Sequence, residues 1–172
     1  MKGVFWNCDG FKDPKKHRFI SDLTKEHNLS FIAISETGRR SFTNPFLKNL
    51  CSGKNYLWHV KEPKGQSGGI LLGIDLDVFD IGAIDEGDYY VKFHLCNKND
   101  SFKWALVEVY GPAQAEFKEN FLTELVHMCS HESPNEKNND NYDHRWPFLF
   151  IAIIDGLNLR ELEMSGRKIH MG

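Results

Sequence analysis

"LSFIAIS", residues 29–35, is a mostly apolar run that is typical of a buried β-strand. A shorter apolar run, residues 2–6, comes before it and ends in the turn-forming residues "NCDG". Residues 18–28, which lie between the two runs, repeat apolar side chains at helical spacing. The implied order is strand, helix, strand.

Polar residues follow both predicted strands. Asn7 and Asp9 follow the first strand, and Glu36 follows the second. If the two strands are neighbours in one sheet, Asn7 and Glu36 emerge at the same edge, beyond the carboxyl ends of the strands, where sheet-based sites tend to form. A second interpretation stays open, in which Glu36 is a solvated loop residue and Asn7 and Asp9 stabilise a turn before Gly10.

The pattern from residue 67 onward is that of strands. "SGGILLGI" is followed by residues 89–96, in which apolar and polar side chains alternate, and then by residues 102–110 after a hairpin-like loop. Residues 114–131 place apolar side chains on one helical face, which predicts a core helix. The polar stretch 134–145 predicts a loop.

Length and composition indicate one soluble globular domain of 172 residues, 41% hydrophobic and 26% charged. The net charge of −3 gives no general attraction to nucleic acid, so DNA binding would depend on local basic loops. Two clusters could provide them: Lys12, Lys15, Lys16 and Arg18 form the first, and Arg39 and Arg40 form the second. Runs of this kind are more often solvated surface than phosphate contacts.

The four cysteines are scattered, with no CxxC pair and no histidine at zinc spacing. This pattern predicts reduced thiols in an intracellular protein, nuclear or cytoplasmic. No apolar run approaches the roughly 20 residues of a membrane helix, and the first residues lack the apolar core of a signal peptide. We therefore expect no association with a membrane.

Four short stretches, taken in order, resemble the motifs of the endonuclease/exonuclease/phosphatase superfamily. They are "WNCDGF" (residues 6–11), "ISET" (34–37), "SGGI" (67–70) and "VYGPA" (109–113). The chain most resembles the apurinic-type endonuclease domain of plant LINE retrotransposons, and "FLTELVHMCSH" and "DGLNLRELEMSGRK" add to this resemblance. The resemblance implies a four-layered α/β sandwich, two mixed sheets flanked by helices, that cleaves phosphodiesters with magnesium.

The resemblance also implies roles for four residues. Glu36 corresponds to the glutamate that holds the metal in this superfamily, and Asp9 corresponds to an acid that lies nearby. Asn7 corresponds to an asparagine that orients the site, and Tyr110 to a tyrosine that contacts the phosphate region. Mg²⁺ usually takes one or two protein carboxylates and fills its remaining positions with water and phosphate oxygens, so these residue types suit Mg²⁺, or Mn²⁺ in its place.

The stretch "FLFIAIIDGLN", residues 148–158, allows two interpretations. As a strand, this stretch would place Asp155 at its carboxyl end. The superfamily has Gly-Asp-Phe-Asn there, whereas this chain has Asp155 before Gly156. Because a shift of one residue in a strand turns a side chain to the opposite face, Asp155 could not simply replace the acid of the superfamily. As a helix it would begin near Pro147 and end at Gly156, which are favourable positions for both residues. The pattern favours the helix.

The resemblance implies that part of the domain is missing. In the superfamily the Gly-Asp-Phe-Asn strand lies between segments that here meet at residues 132–133, and the late Ser-Asp-His motif has no counterpart in residues 1–172. We therefore expect a partial endonuclease domain that binds metal weakly, is inactive or strongly impaired, and has no obligate protein partner. Two alternatives stay open: an active endonuclease in which Asp155 or another acid substitutes, and a nucleic-acid-binding remnant without chemistry.

Overall fold

Seven strands and three α-helices form the part of the chain that the computed structural model describes, residues 1–63, 68–112 and 114–130. The chain divides into two compact units, residues 1–113 and 114–172. The first unit contains β1 (Gly3–Asn7), α1 (Pro14–His27), β2 (Phe31–Ser35), α2 (Asn44–Leu50), β3 (Tyr56–Lys61), β4 (Ile70–Asp75), β5 (Phe79–Glu86), β6 (Tyr90–Asn97) and β7 (Lys103–Val109). The second unit begins with a 3-10 helix (Ala115–Phe117) and α3 (Lys118–Ser130).

The first sheet has the strand order β1-β2-β4-β3. Its strands β1 and β2 are parallel, as expected for strands joined through a helix, and the other pairs are antiparallel. Every residue of β2 and β4 is buried, because these two central strands are covered on both faces. Their continuous apolar sequences follow from this position.

The second sheet is antiparallel, with the order β5-β6-β7. The predicted alternation in β6 is confirmed, because Val91, Phe93 and Leu95 point into the core between the two sheets. They meet residues of the first sheet there, including Phe31 and Leu72. The two sheets therefore share one apolar layer.

A second apolar core covers the opposite face of the first sheet. Ile32 and Ile34 of β2 pack there with Ile20 of α1 and Leu50 of α2. Phe11, from the loop after β1, is fully buried in the same cluster. The helices α1 and α2 thus lie against one face of the first sheet, and the second sheet lies against the other.

The helix α1 begins four residues before the predicted start at Arg18. Asp13 is its N-cap, since its side chain accepts a hydrogen bond from Lys15 N at 2.8 Å, and Pro14 occupies the first helical turn. The helix ends at His27, and its C-cap, Asn28, has the left-handed φ of 52° that is common after a last helical turn. Local capping therefore sets both ends.

The predicted fold class is confirmed: two packed sheets with flanking helices make an α/β fold. In the described residues no helix combines the length and the apolar character that crossing a membrane requires. The predicted helix at 148–154, the polar loop at 134–145 and the junction at 132–133 lie outside the described residues.

Candidate functional site

The loops that follow β1 and β2 run side by side. Asn7 and Ser35 are paired as the last residues of the two parallel strands. Beyond them, Gly10 N donates to Glu36 O at 2.7 Å and Phe11 N donates to Thr37 O at 2.8 Å. The expectation that Asn7 and Glu36 emerge at one edge of the sheet is therefore confirmed.

Asn7 and Glu36 are in direct contact. The side-chain amide of Asn7 donates a hydrogen bond of 2.6 Å to Glu36 Oε1. Asn7 is exposed and Glu36 is half-buried, so the carboxylate is held in a fixed orientation and still faces solvent. A carboxylate that is both oriented and accessible can accept a cation.

The backbone around this pair is in an uncommon conformation. Glu36 has φ 55° and Asp9 has φ 44°, both in the left-handed region that non-glycine residues rarely adopt. Such residues cost on the order of 1 to 3 kcal/mol each and are concentrated at functional sites. Asp9 N also donates to Asn7 Oδ1 at 3.3 Å, so the side-chain-stabilised turn is present together with the Asn7–Glu36 contact.

The Asp9 carboxylate takes no part in the contact between Asn7 and Glu36. It is exposed, and its carboxylate makes no hydrogen bond to any described residue. Within residues 1–63, 68–112 and 114–130, no three His, Cys, Asp or Glu side chains come together as a metal-binding group. The structure brings Asn7 and Glu36 together, and a ligand role for Asp9 stays a prediction.

Tyr110, directly after β7, completes this edge. A Cβ added to Gly68 would lie 3.0 Å from Tyr110 Cε1, so the ring packs closely over the glycine backbone. Burial, and then the negative charge of Glu36, raise the pKa of Tyr110. Tyr110 therefore lies within electrostatic range of Glu36, although the two residues are far apart in the sequence.

The glycines of "SGGI" hold the second half of the site loop. Thr37 N donates to Gly69 O at 3.2 Å, and Gly38 N donates to Gly68 O at 3.0 Å. Both Gly68 and Gly69 have φ near 90°, which suits glycine and few other residues. The loop after β2 is thus fastened to the loop after β1 on one side and to the glycine pair on the other.

Glu108 is a feature that the sequence analysis missed. It lies two residues before Tyr110 in β7, and only 6% of its surface is exposed. Burial raises the pKa of Glu108 to about 7, and a hydrogen bond with Ser35 opposes this rise. An acid at a core-facing position of an alternating strand was the signal that could have revealed it.

Lys16, a member of the first basic cluster, lies against the loop after β1. Its ammonium donates to Cys8 O at 2.6 Å, Asp9 O at 3.0 Å and Gly10 O at 3.1 Å. An ammonium has three donors, so these bonds use all of them and leave none for a phosphate. The exposed side chains of the two clusters are Lys12, Lys15, Arg18 and Arg40.

The buried thiol of Cys8, next to Asn7, is not set up for nucleophilic chemistry. Burial raises the pKa of Cys8 to about 11, so the thiol keeps its proton at neutral pH. Its sulfur lies 3.5 Å from Glu36 O, as expected for a weak structural donor. The chemistry that this edge can support therefore depends on oxygen ligands.

The donor set suits one weakly held Mg²⁺. A hard cation with mostly water ligands needs one or two carboxylates, and the Glu36 carboxylate is oriented by Asn7 and open to solvent. A tightly held ion would need more protein ligands than these described residues bring together. A metal site at Glu36 stays a prediction.

No family model matches the chain, and no curated protein matches it. Solved structures do match. The human nocturnin catalytic domain with bound sulfate is similar over 75% of this chain and 57% of its own, with 12% identity and a TM-score of 0.56. TDP2 from C. elegans covers 75% of this chain and 41% of its own, with 15% identity and a TM-score of 0.51.

D. rerio TDP2 in complex with a single-strand DNA product covers 91% of this chain and 64% of its own, with 9% identity and a TM-score of 0.50. Nocturnin and TDP2 are members of the endonuclease/exonuclease/phosphatase superfamily. At these identities the similarity shows the fold alone: this chain shares the α/β fold of nocturnin and TDP2. The chain spans less than two thirds of the length of each of these structures.

Proposed function

We propose that the chain is a retrotransposon-derived, Mg²⁺-dependent endonuclease domain of the LINE apurinic type that is inactive or strongly impaired. The observation that carries the proposal is the 2.6 Å contact between Asn7 and Glu36 at the carboxyl ends of two parallel strands, in a fold shared with nocturnin and TDP2. The order of the four motifs supports the superfamily, and the stretches "FLTELVHMCSH" and "DGLNLRELEMSGRK" support the retrotransposon origin.

The proposed roles follow from the positions of the side chains. Glu36 would hold the cation through its carboxylate, and Asn7 would keep that carboxylate oriented. Tyr110, which packs over Gly68 close to Glu36, would contact the phosphate. A bound divalent cation would supply charge neutralisation at the phosphoryl oxygens.

DNA is the proposed substrate class. The exposed residues Lys12, Lys15 and Arg18 lie at the start of α1, and Arg40 lies in the loop that follows Glu36. Arg39 is placed over the rings of Phe42 and Phe46, at 4.8 and 5.0 Å from their centroids, which fixes its guanidinium near the same loop. These local basic groups support weak, salt-dependent contact with a DNA backbone.

Impairment is proposed because a water-activating acid is missing from the sequence. Residues 1–172 contain no Gly-Asp-x-Asn sequence, and the Asp155-Gly156 pair has the opposite order. Proton transfer by a positioned side chain typically contributes about 10²- to 10⁴-fold to a rate. Losing that group would leave a domain that binds metal and DNA but cleaves poorly.

We expect the purified protein not to nick supercoiled plasmid or cut an abasic-site duplex in Mg²⁺ above the background of a Glu36→Ala variant. Cleavage that disappears in Glu36→Ala would contradict the proposed impairment and favour the active alternative. Loss of that cleavage in Asp155→Ala would then identify the substituting acid. Salt-dependent binding of the same duplex without cleavage would favour the binding remnant.

We expect weak binding of Mn²⁺, measured by water-proton relaxation, that falls about tenfold or more in Glu36→Gln. The reason is that the variant keeps the shape of the side chain and loses the carboxylate that Asn7 orients. Glu26→Gln is the matched control, since Glu26 is an exposed acid on α1. Equal Mn²⁺ affinities of wild type and Glu36→Gln would rule out the proposed metal site.

A further inference from the structure

The loop after β1 wraps around the ammonium of Lys16. The carbonyl oxygens of three consecutive residues, Cys8, Asp9 and Gly10, lie 2.6 to 3.1 Å from Lys16 Nζ. Lys16 is half-buried. Carbonyl dipoles that converge on one point repel one another unless a cation lies between them, so this loop conformation depends on the ammonium.

Backbone conformation explains why the three carbonyls converge. Asp9 and Gly10 are consecutive left-handed residues, with φ of 44° and 83°. For Asp9 this conformation is unfavourable by itself and needs compensation from its surroundings. Charge-assisted hydrogen bonds from Lys16 are about twice as strong as neutral ones and can provide it.

The position of Lys16 is itself fixed by the start of α1. Lys16 N donates to Asp13 O at 3.1 Å, and the Asp13 side chain caps the helix through Lys15 N. The side chain of Lys16 therefore extends from a rigid helical turn to the loop. Lys15, one residue earlier, is exposed.

The opposite side of the same loop builds the candidate site. Asn7 precedes the three carbonyls and donates to Glu36, and the N–H groups of Gly10 and Phe11 donate to the loop that contains Glu36. A change in the loop would therefore move Asn7 relative to the Glu36 carboxylate. The hydrogen bonds of the Lys16 ammonium go to backbone carbonyls and not to these two side chains, so Lys16 acts on them through the backbone.

We propose that Lys16 is a positioning residue: its ammonium holds the Cys8–Gly10 loop in the conformation that places Asn7 against Glu36. The part that concerns metal binding rests on the proposed function. Residues that orient metal ligands from outside typically change metal affinity by about 10- to 100-fold when they are replaced. Lys16 thus serves the site by shaping it and does not contact a substrate phosphate.

Lys16→Met tests the proposal, because methionine keeps an unbranched side chain and removes the ammonium. Lys15→Met is the matched control, with the same change of charge one residue away. We expect Lys16→Met to speed amide hydrogen exchange at Gly10 and Phe11 about tenfold and to weaken Mn²⁺ binding about tenfold, and Lys15→Met to change each by less than about twofold. Unchanged exchange at both amides in Lys16→Met would overturn the proposal.

The two readouts separate this proposal from the proposed function. If the wild type binds no Mn²⁺, the metal site fails, and amide exchange still decides whether Lys16 positions the loop. Faster exchange with unchanged Mn²⁺ affinity would overturn the link between the loop and the site. If Lys16→Met does not fold, Lys16→Ala with added propylammonium provides the test. Restored protection of the Gly10 amide from exchange by propylammonium supports the proposal. Restored protection of the same amide by tetramethylammonium, which has no N–H donor, contradicts it.

Discussion

Glu108→Gln should stabilise the protein at pH 8 by about 3 kcal/mol more than it does at pH 4.5. The pKa of Glu108 is about 7 in the folded protein, against an ordinary value of 4.5, mainly because the carboxyl group is buried. The folded state therefore holds this proton more tightly than the unfolded state does. Each unit of difference in pKa corresponds to about 1.4 kcal/mol.

The sign of the effect follows from linkage. The stabilisation that the Glu108 proton provides is complete below pH 4.5, falls as the pH rises from 4.5, and is lost above the folded pKa of about 7. Glutamine keeps the shape of the side chain and carries no proton to lose. Other titrating groups contribute equally to both proteins, so the difference between the two stability profiles isolates Glu108.

Urea unfolding from pH 4.5 to 8.5, in EDTA to exclude metal ions, measures this difference. Ser35→Ala provides a second check, because the hydrogen bond from Ser35 lowers the pKa of Glu108 and its removal should carry the loss of stability to higher pH. Parallel pH profiles of wild type and Glu108→Gln would show that Glu108 is not the buried acid described above.

The central part of the fold could be predicted from the sequence because its signals are local and strong. β2 and β4 are buried along their whole length and are mostly apolar, and in β6 the apolar residues Val91, Phe93 and Leu95 alternate with polar ones, of which Lys92 is also buried. The placement of Asn7 and Glu36 at one edge could be predicted from the strand order, since parallel neighbours end at the same edge, whereas their hydrogen bond is seen only in the structure. The further roles of Asp9 and Tyr110 came from the resemblance.

Three elements, α2, β3 and β5, were not predicted. All six residues of β3 are half-buried, so neither face of the strand is marked by a clear alternation of apolar and polar residues. Most residues of β5 are exposed. Both are edge strands, and neighbouring strands define them more than their own composition does. α2 has only seven residues, and its N-cap Thr43 makes no side-chain hydrogen bond.

The positions of Lys16 and Glu108 depend on long-range contacts. For this reason the sequence placed Lys16 only in a basic cluster and did not single out Glu108. In the sequence Lys16 is one charge in a basic run, and only the folded loop shows three carbonyls around it. Glu108 is one acid in a strand of the second sheet, and its burial depends on the first sheet, which meets it at Ser35. A charge count measures neither burial nor the direction of a carbonyl.

Gly69→Ala is expected to destabilise the protein by about 3 kcal/mol, because the position combines two separate penalties. The first is conformational: Gly69 has φ 86°, and a side chain in left-handed backbone costs about 1 to 2 kcal/mol. The second is steric: the added Cβ would lie 2.7 Å from Thr37 Oγ1 and 3.2 Å from Pro63 Cδ. Thr37 is completely buried and cannot turn away into solvent, and overpacking of this kind typically costs about 1 to 3 kcal/mol.

Gly53→Ala separates the two penalties. Gly53 has nearly the same backbone angle, φ 81°, and an added Cβ would meet no atom within 4 Å. It should therefore show only the conformational cost, about 1 to 2 kcal/mol in chemical denaturation, and the remaining loss in Gly69→Ala should come from the contact with Thr37. Because Thr37 N donates to Gly69 O and Thr37 directly follows Glu36, that loss should be accompanied by weaker Mn²⁺ binding in Gly69→Ala and not in Gly53→Ala. Equal destabilisation by the two variants would mean that Gly69 is needed for its backbone angle alone. Its close approach to Thr37 would then contribute nothing to stability.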